Sequence, residues 1–406
     1  MSLKALRGMK DIVPPQSQKY LDFLQTASEV AQRFGFEYIE TPILEETALF
    51  KRSVGESSDI VGKEMYQFID KGGNDVCLRP EGTAGVVRSF IEHRLDRQGG
   101  VHRFFYHGPM FRYERPQKGR FREFHQFGVE SFGEPSAYED AAIILLAKSI
   151  LDHYKINYTL KINSLGCPTC VPPYKQKLVE FLQRDDICED CKRRRELNPI
   201  RTLDCKNPNC QEIYKAAPKL TDHLCQECQK DFELLQTLLK NEGVEFEIDK
   251  NLVRGLDYYT KTAFEFVSGE LGAQNAVAGG GRYDNLVELL GGKPTPAVGF
   301  AIGIERILDL IEAPKSPREG IYVGAMIEEA LKDAFSFAAK ARIKSKAIFE
   351  AKPKSLKAHL KAADRQNVRY AAIIGEDELK NASIWIKDLE RKEERTLALD
   401  EALEQL

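Results

Sequence analysis

Between residues 104 and 130, apolar and charged side chains alternate on both sides of Pro116-Gln117-Lys118-Gly119. A period of two interrupted by a polar turn predicts two antiparallel strands joined as a hairpin. Upstream, Tyr20, Phe23, Leu24, Ala27, Val30, Ala31 and Phe34 recur at helical spacing, with Ser17 placed to cap the helix and Gly35 to stop it. Residues 36–41 read as a short strand closed by Pro42, followed by a long loop. Residues 77–83 pass from a strand into a helix, with Thr83 as its expected cap. A helix is predicted over 138–154 and strands over 158–163, 245–248, 263–267, 276–278 and 297–300. After a linker at 313–317, strands at 320–327, 347–351, 370–375 and 383–388 alternate with helices at 328–341 and 356–366. That alternation predicts a small separate α/β domain.

Length changes this picture only by allowing two or three domains in 406 residues. Hydrophobic residues at 42% and charged residues at 30% describe an ordinary globular chain rather than a disordered or fibrous one. The net charge of -3 matters more, because any nucleic-acid contact must then come from local patches. One such stretch is 340–361, where eight Lys or Arg stand against the single acid Glu350. No window approaches membrane-spanning length and the N-terminus has no apolar signal core, so a cytoplasmic protein with no membrane role is expected.

Candidate chemistry gathers at four places. Arg112, Arg115, Lys118, Arg120 and Arg122 crowd the hairpin turn, suggesting a polyanionic ligand, although charged edge strands also carry such residues simply to stay solvated. Glu81 at a strand–helix junction offers a carboxylate to a cationic amine. The runs 252–260 and 278–284 place Arg254, Tyr258 and Tyr259 near three successive glycines, which mark a close approach of ligand or backbone, or a structural bulge. Finally, Cys167, Cys170, Cys188, Cys191, Cys205, Cys210, Cys225 and Cys228 fall in close pairs. They offer two tetrahedral four-thiolate zinc sites or one site with spectators, with reduced thiols and disulfides as the other readings; spacing does not say which pairs would share a metal.

These stretches together resemble the class II aminoacyl-tRNA synthetases, and within them the bacterial histidine-specific family, over nearly the whole chain. Residues 35–45 are similar to the dimer-interface motif of that class, the hairpin to its second motif and 299–307 to its third. The runs 252–260 and 278–284 resemble the two signatures of the histidine branch. The resemblance implies an α+β fold: a class II antiparallel-sheet catalytic domain over 1–165 and 241–313, a cysteine-rich helical insertion over 166–240, a linker over 314–319 and an α/β anticodon-binding domain over 320–406. It implies activation of L-histidine by ATP, with Mg2+ carried on the nucleotide, and transfer to tRNA(His) by a homodimer. Arg112 and Arg254 match the catalytic arginines, and Arg254 occupies the side of the α-phosphate where other class members use a metal ion. Arg112 and Arg306 match ATP contacts. Glu81, Gly82, Thr83, Arg112, Gln126, Glu130, Arg254, Tyr258 and Tyr259 match the histidine-binding positions, and Arg115 and Gln117 those that approach the tRNA end. Any zinc on the eight cysteines would be structural, and the 340–361 patch would face the tRNA. The resemblance leaves two alternatives: a catalytically silent histidine-binding regulatory paralogue belonging to the ATP phosphoribosyltransferase complex, and a synthetase-like sensor module for uncharged tRNA, of the kind fused to signalling domains.

Overall fold

The computed structural model describes residues 3–55, 58, 60–205, 207–272, 275–312 and 317–405, with the Asp204 side chain left aside. Two compact units divide the chain, residues 1–313 and 314–406. Part of the predicted linker, residues 313–316, lies outside the described residues.

In the first unit the strands are β1 (Glu37–Tyr38), β2 (Leu44–Glu46), β3 (Tyr66–Ile69), β4 (Asp75–Leu78), β5 (His102–Phe111), β6 (Glu123–Phe132), β7 (Thr159–Ser164), β8 (Glu247–Ile248), β9 (Thr260–Val267), β10 (Ala276–Arg282) and β11 (Ala297–Gly303). Eight of them form one sheet in the order β1-β5-β6-β11-β10-β9-β7-β8. Only the two outer pairs, β1–β5 and β7–β8, are parallel. The β5–β6 pair is the predicted hairpin.

Period two decides what each sheet face does. Phe127 and Val129 on β6, and Phe264 and Phe266 on β9, point into the main core against helices Gln16–Arg33, Ala137–His153, Gln226–Asn241 and Ile304–Leu310. Their neighbours on the opposite face carry the polar residues discussed below. The long loop expected after Thr41 is instead structured: β2, helix Thr47–Val54 and β3 lie there, and β2-β4-β3 form a separate small sheet. These strands are only three or four residues long, too short for a period to register. The predicted strand at 36–41 is likewise reduced to Glu37–Tyr38.

Among the described residues, no helix is long and apolar enough to cross a membrane.

The second unit has strands β12 (Ile321–Ala325), β13 (Ala347–Phe349), β14 (Tyr370–Ile374), β15 (Ser383–Asp388) and β16 (Glu394–Ala398), in the order β13-β12-β14-β15-β16. The first three are parallel and the last two antiparallel additions. Sequence reading misses β16 and the short helices Glu376–Lys380 and Leu399–Glu404, whose one or two turns carry little apolar pattern. Ile321, Val323 and Ala325 pack against helix Leu331–Ala341, whereas Tyr322 packs on the opposite face with Ala363 of helix Leu356–Arg365. Of the cations in 340–361, Lys340 is on helix Leu331–Ala341 and Lys357 and Lys361 are on helix Leu356–Arg365, on opposite faces of the sheet, and the other five are in the loops flanking β13.

Candidate active site

The polar face of the large sheet is the floor of a cleft of about 1120 Å³. One row of directly paired residues crosses it: Glu265 on β9, Gly279 on β10, Ala301 on β11, Gly128 on β6 and Tyr106 on β5. Large side chains end the row and small ones form its middle, which hollows the sheet. The neighbouring row contains Gly281, Gly299 and Glu130. The three glycines at 279–281 thus lie inside β10 and serve different neighbours. A Cβ on Gly280 would come within 2.1 Å of the Gly299 carbonyl, and one on Gly279 within 2.5 Å of the Arg254 guanidinium. Close backbone packing and a close functional side chain both hold, and a bulge at Gly281/Arg282 follows them.

Two buried carboxylates sit at one end, Glu81 in the lining and Glu130 beneath it. Glu81 accepts from the backbone N–H groups of Thr83 (2.7 Å) and Ala84 (2.9 Å), so Glu81, rather than Thr83, caps helix Thr83–Glu92. Thr83 is the first helical residue, and its hydroxyl donates to Glu130 Oε1 at 2.7 Å. Tyr106 donates to the same oxygen at 3.2 Å and Tyr283 to Oε2. Glu130 is 1% exposed and sits just below the surface that Glu81, Thr83 and Gln126 present to the cleft. Burial outweighs its hydroxyl donors and pushes its pKa from 4.5 up to about 8.

That shift has a defined consequence for stability. Between the two values the folded chain holds a proton that the unfolded chain has released, so the favourable contribution is complete below the lower value and is lost as pH rises through the upper one. Glu130→Gln removes this dependence. Its urea midpoint, relative to the parent, is expected to climb between about pH 5 and about pH 8; a constant difference would contradict a neutral Glu130.

The 252–260 run closes the cleft from the side. Arg254 donates through Nη1 to Glu265 at 2.9 Å and lies over the Tyr259 ring at 5.6 Å. Burial alone would lower its pKa, but Tyr259 and Glu265 reverse the effect and hold it above the ordinary arginine value. Three buried polar atoms facing this region have no hydrogen-bond partner among the described residues: Gln126 Oε1, the Tyr258 hydroxyl and Arg254 Nε. Buried polar atoms are normally paired, so three orphans in one cleft mark a place for a polar ligand.

The other end is cationic. Arg112 donates through Nε to the Pro80 carbonyl at 2.9 Å and rests over Phe124 at 5.2 Å. Arg306 donates to the carbonyls of Gly119, at 3.2 Å, and Ala276, fixing the hairpin tip against helix Ile304–Leu310. Burial and then the nearby Arg120 and Arg112 push the Arg306 pKa down. Glu114 pairs with Arg120 and lies 3.9 Å from Arg112 Nη1, so the repulsion bears on Arg306, and an anion beside Arg306 relieves it.

Of the expected residues, Glu81, Thr83, Arg112, Gln126, Arg254, Tyr258, Tyr259 and Arg306 all line this cleft. Gly82 lies behind it, where a Cβ would come within 2.2 Å of the Tyr106 ring. Arg115 and Gln117 are exposed on the hairpin tip, and Gln117 pairs with Arg120 there. The eight cysteines form two groups, Cys167/Cys170/Cys225/Cys228 and Cys188/Cys191/Cys205/Cys210. Sequence reasoning passes over Tyr106, Tyr283 and Glu265. A signal for Tyr106 existed: Gly128 in mid-strand faces it, and a Cβ there would come within 2.3 Å of the ring.

Comparison with known proteins agrees on one family. The family model for histidyl-tRNA synthetase matches residues 8–307, and that of an anticodon binding domain matches residues 322–406. The histidine–tRNA ligase of a Nitratiruptor species is 72% identical over 405 residues, covering 100% of both chains. That of Sulfurimonas denitrificans is 61% identical over 397 residues, covering 97% of this chain and 98% of its own. The crystal structure of apo S. aureus histidyl-tRNA synthetase superposes with a TM-score of 0.84 at 33% identity, covering 100% of this chain and 99% of the other.

Proposed function

The chain belongs to the histidyl-tRNA synthetase family, and from that premise we propose how its cleft joins histidine first to ATP and then to tRNA. The enzyme is a ligase. The observation that carries the assignment of the site is the polarity of one cleft: orphaned hydrogen-bonding atoms at one end and three guanidiniums at the other.

Histidine lies over Glu81, Gly82, Thr83 and Gln126. The carboxylate of Glu81 and the Gln126 carbonyl accept from its ammonium group, and Tyr258, Tyr259 and Glu130 hold the imidazole. The carboxylate then points toward Arg112. ATP enters as its magnesium complex with the triphosphate along the cationic end, Arg306 on its far phosphates, and Phe124 offering a flat surface to the nucleotide.

In the first step a carboxylate oxygen of histidine attacks the α-phosphorus. The bond from that phosphorus to the bridging oxygen breaks, leaving histidyl-adenylate and pyrophosphate. Arg112 and Arg254, fixed beforehand by Pro80 and Glu265, stabilise the charge that develops on the phosphoryl oxygens. In the second step the terminal ribose hydroxyl of tRNA(His) attacks the acyl carbon and AMP leaves. No side chain serves as nucleophile; positioning and preset charge supply the acceleration.

Arg115 and Gln117, exposed on the hairpin tip, approach the tRNA end, and residues 320–406 bind the anticodon. Two copies of the chain pair through the edge that presents Tyr38, Ile43 and Leu44, each over 40% exposed. The reaction is placed in the cytoplasm. The regulatory paralogue is not favoured, since identity with a histidine–tRNA ligase reaches 72% over the full length.

The test is amino-acid-dependent ATP–pyrophosphate exchange with each of the twenty amino acids. Histidine is expected to be the best substrate by orders of magnitude, because an analogue without its ring donors leaves buried partners unpaired. Faster exchange with any other amino acid overturns the reading.

A further inference from the structure

The cysteine-rich insertion does more than fill space beside the cleft. In the first thiol group, Cys167 Sγ lies 3.6 Å from Cys170 Sγ and 3.8 Å from Cys225 Sγ. In the second, Cys188 Sγ lies 3.7 Å from Cys205 Sγ. Zinc–sulfur bonds of about 2.3 Å in a tetrahedron set sulfur–sulfur edges of about 3.8 Å, whereas a disulfide requires about 2.05 Å. Within each group all four sulfurs lie within 4.8 Å of one another.

Backbone donors add an independent indication. The Cys225 N–H donates to Cys170 Sγ at 3.1 Å, that of Cys188 to Cys210 Sγ at 3.2 Å and that of Asn207 to Cys205 Sγ at 3.4 Å. Such amide-to-sulfur bonds stabilise thiolate ligands and orient them toward a shared ion. The core these thiols belong to is small, built around Tyr174, Leu178, Leu182, Ile187, Tyr214 and Leu220, and a core of that size needs a staple.

The two groups hold different things. The first joins the two ends of the insertion, since Cys167 and Cys170 precede helix Val171–Phe181 and Cys225 and Cys228 lie at the start of helix Gln226–Asn241. The second closes the stretch 188–210, whose middle reaches into the active-site wall. Asn198 donates to Asp257 Oδ1 at 2.9 Å, Arg201 Nε donates to the same oxygen at 2.7 Å, and Arg201 Nη2 donates to the Gly255 carbonyl at 2.8 Å. Gly255 and Asp257 lie between Arg254 and Tyr258. Cys188 and Cys205 themselves line the cleft.

We propose that the insertion binds two zinc ions, one on each group of four cysteines, and that the ion on Cys188/Cys191/Cys205/Cys210 positions the 252–259 loop through Asn198 and Arg201. The loop's contribution rests on the function proposed above; metal content does not.

Elemental analysis of the purified full chain is expected to give two zinc per chain, and Cys191→Ser and Cys228→Ser each to lose one. Cys191→Ser is expected to speed hydrogen–deuterium exchange over 252–259 and to raise the KM for histidine on the order of 10- to 100-fold, while Cys228→Ser leaves both unchanged. Arg201→Ala keeps both ions and reproduces the faster exchange and the higher KM, so the coupling remains testable even where a cysteine variant folds poorly. Fewer than two zinc per chain, with the remaining thiols titrating freely in the native protein, overturns the metal sites. Unaltered exchange over 252–259 in Arg201→Ala overturns the positioning role.

Discussion

Replacing Arg254 by alanine is expected to lower histidine-dependent pyrophosphate exchange by about 100- to 1,000-fold, the usual effect of deleting one preset donor to a developing oxyanion. The loss is expected to fall on kcat more than on the KM for ATP, because the cationic end proposed to receive the triphosphate is made by Arg112, Arg120 and Arg306. Stability changes less. The side chain is 17% exposed and its partner Glu265 24% exposed, so the carboxylate left behind retains water. Arg254→Lys recovers only part of the rate, since a lysine supplies one point charge where the guanidinium binds Glu265 and keeps donors free for a phosphoryl oxygen. A second variant reaches the same group without altering it: in Gly279→Ala the new methyl intrudes on the guanidinium and displaces it while both charges stay. Single-turnover adenylate formation in the three variants is the measurement. Wild-type rates in Arg254→Ala would remove this residue from the mechanism.

What the sequence discloses follows from how far each signal travels along the chain. The hairpin is legible because one face of β6 is core and the other is cleft, so Phe127 and Val129 alternate with Gln126, Gly128 and Glu130 over a single local stretch. Glu81 and Thr83 are legible as neighbours of a helix start, but their division of labour is not. Whether Thr83 caps the helix or donates to Glu130 depends on a strand 47 residues away. The thiol grouping fails for the same reason: Cys167 and Cys170 skip the next two pairs and join Cys225 and Cys228. The 340–361 cations are neighbours in sequence but belong to two helices that pack on opposite faces of the sheet and to the loops flanking β13, a distribution that a local count of charges does not show. Tyr106 and Glu265 lie in ordinary strand positions, and only the row of small residues between them reveals that they border a cleft; Tyr283, just after β10, is tied to the site through Glu130.

The largest expected effect on stability lies outside the cleft, at Arg282, which the sequence places only within the 278–284 run. Arg282, 1% exposed, donates to Asp140 Oδ1 through Nε (2.9 Å) and Nη2 (2.5 Å), and its remaining hydrogens reach Asp284 and the carbonyls of Glu134 and Ser136. Asp140 also accepts from Thr262 at 2.5 Å, so one buried network joins the end of β10 to β9 and to helix Ala137–His153. Burial opposes the charge on Arg282, but Asp140 and Asp284 outweigh it and hold its pKa above the ordinary arginine value. Arg282→Met leaves Asp140 without its cation at 2% exposure and is expected to cost about 3–5 kcal/mol. Part of that loss should return as pH falls and Asp140 takes up a proton, because the penalty belongs to the stranded charge. Adding Asp140→Leu should restore more than the sum of the single changes allows, since a well-packed apolar pair avoids desolvating two ions. Urea denaturation of the parent, the two single variants and the double variant measures that coupling. Additive losses, unchanged by pH, would mean that Arg282 stabilises the sheet by packing its aliphatic stem rather than by pairing with Asp140.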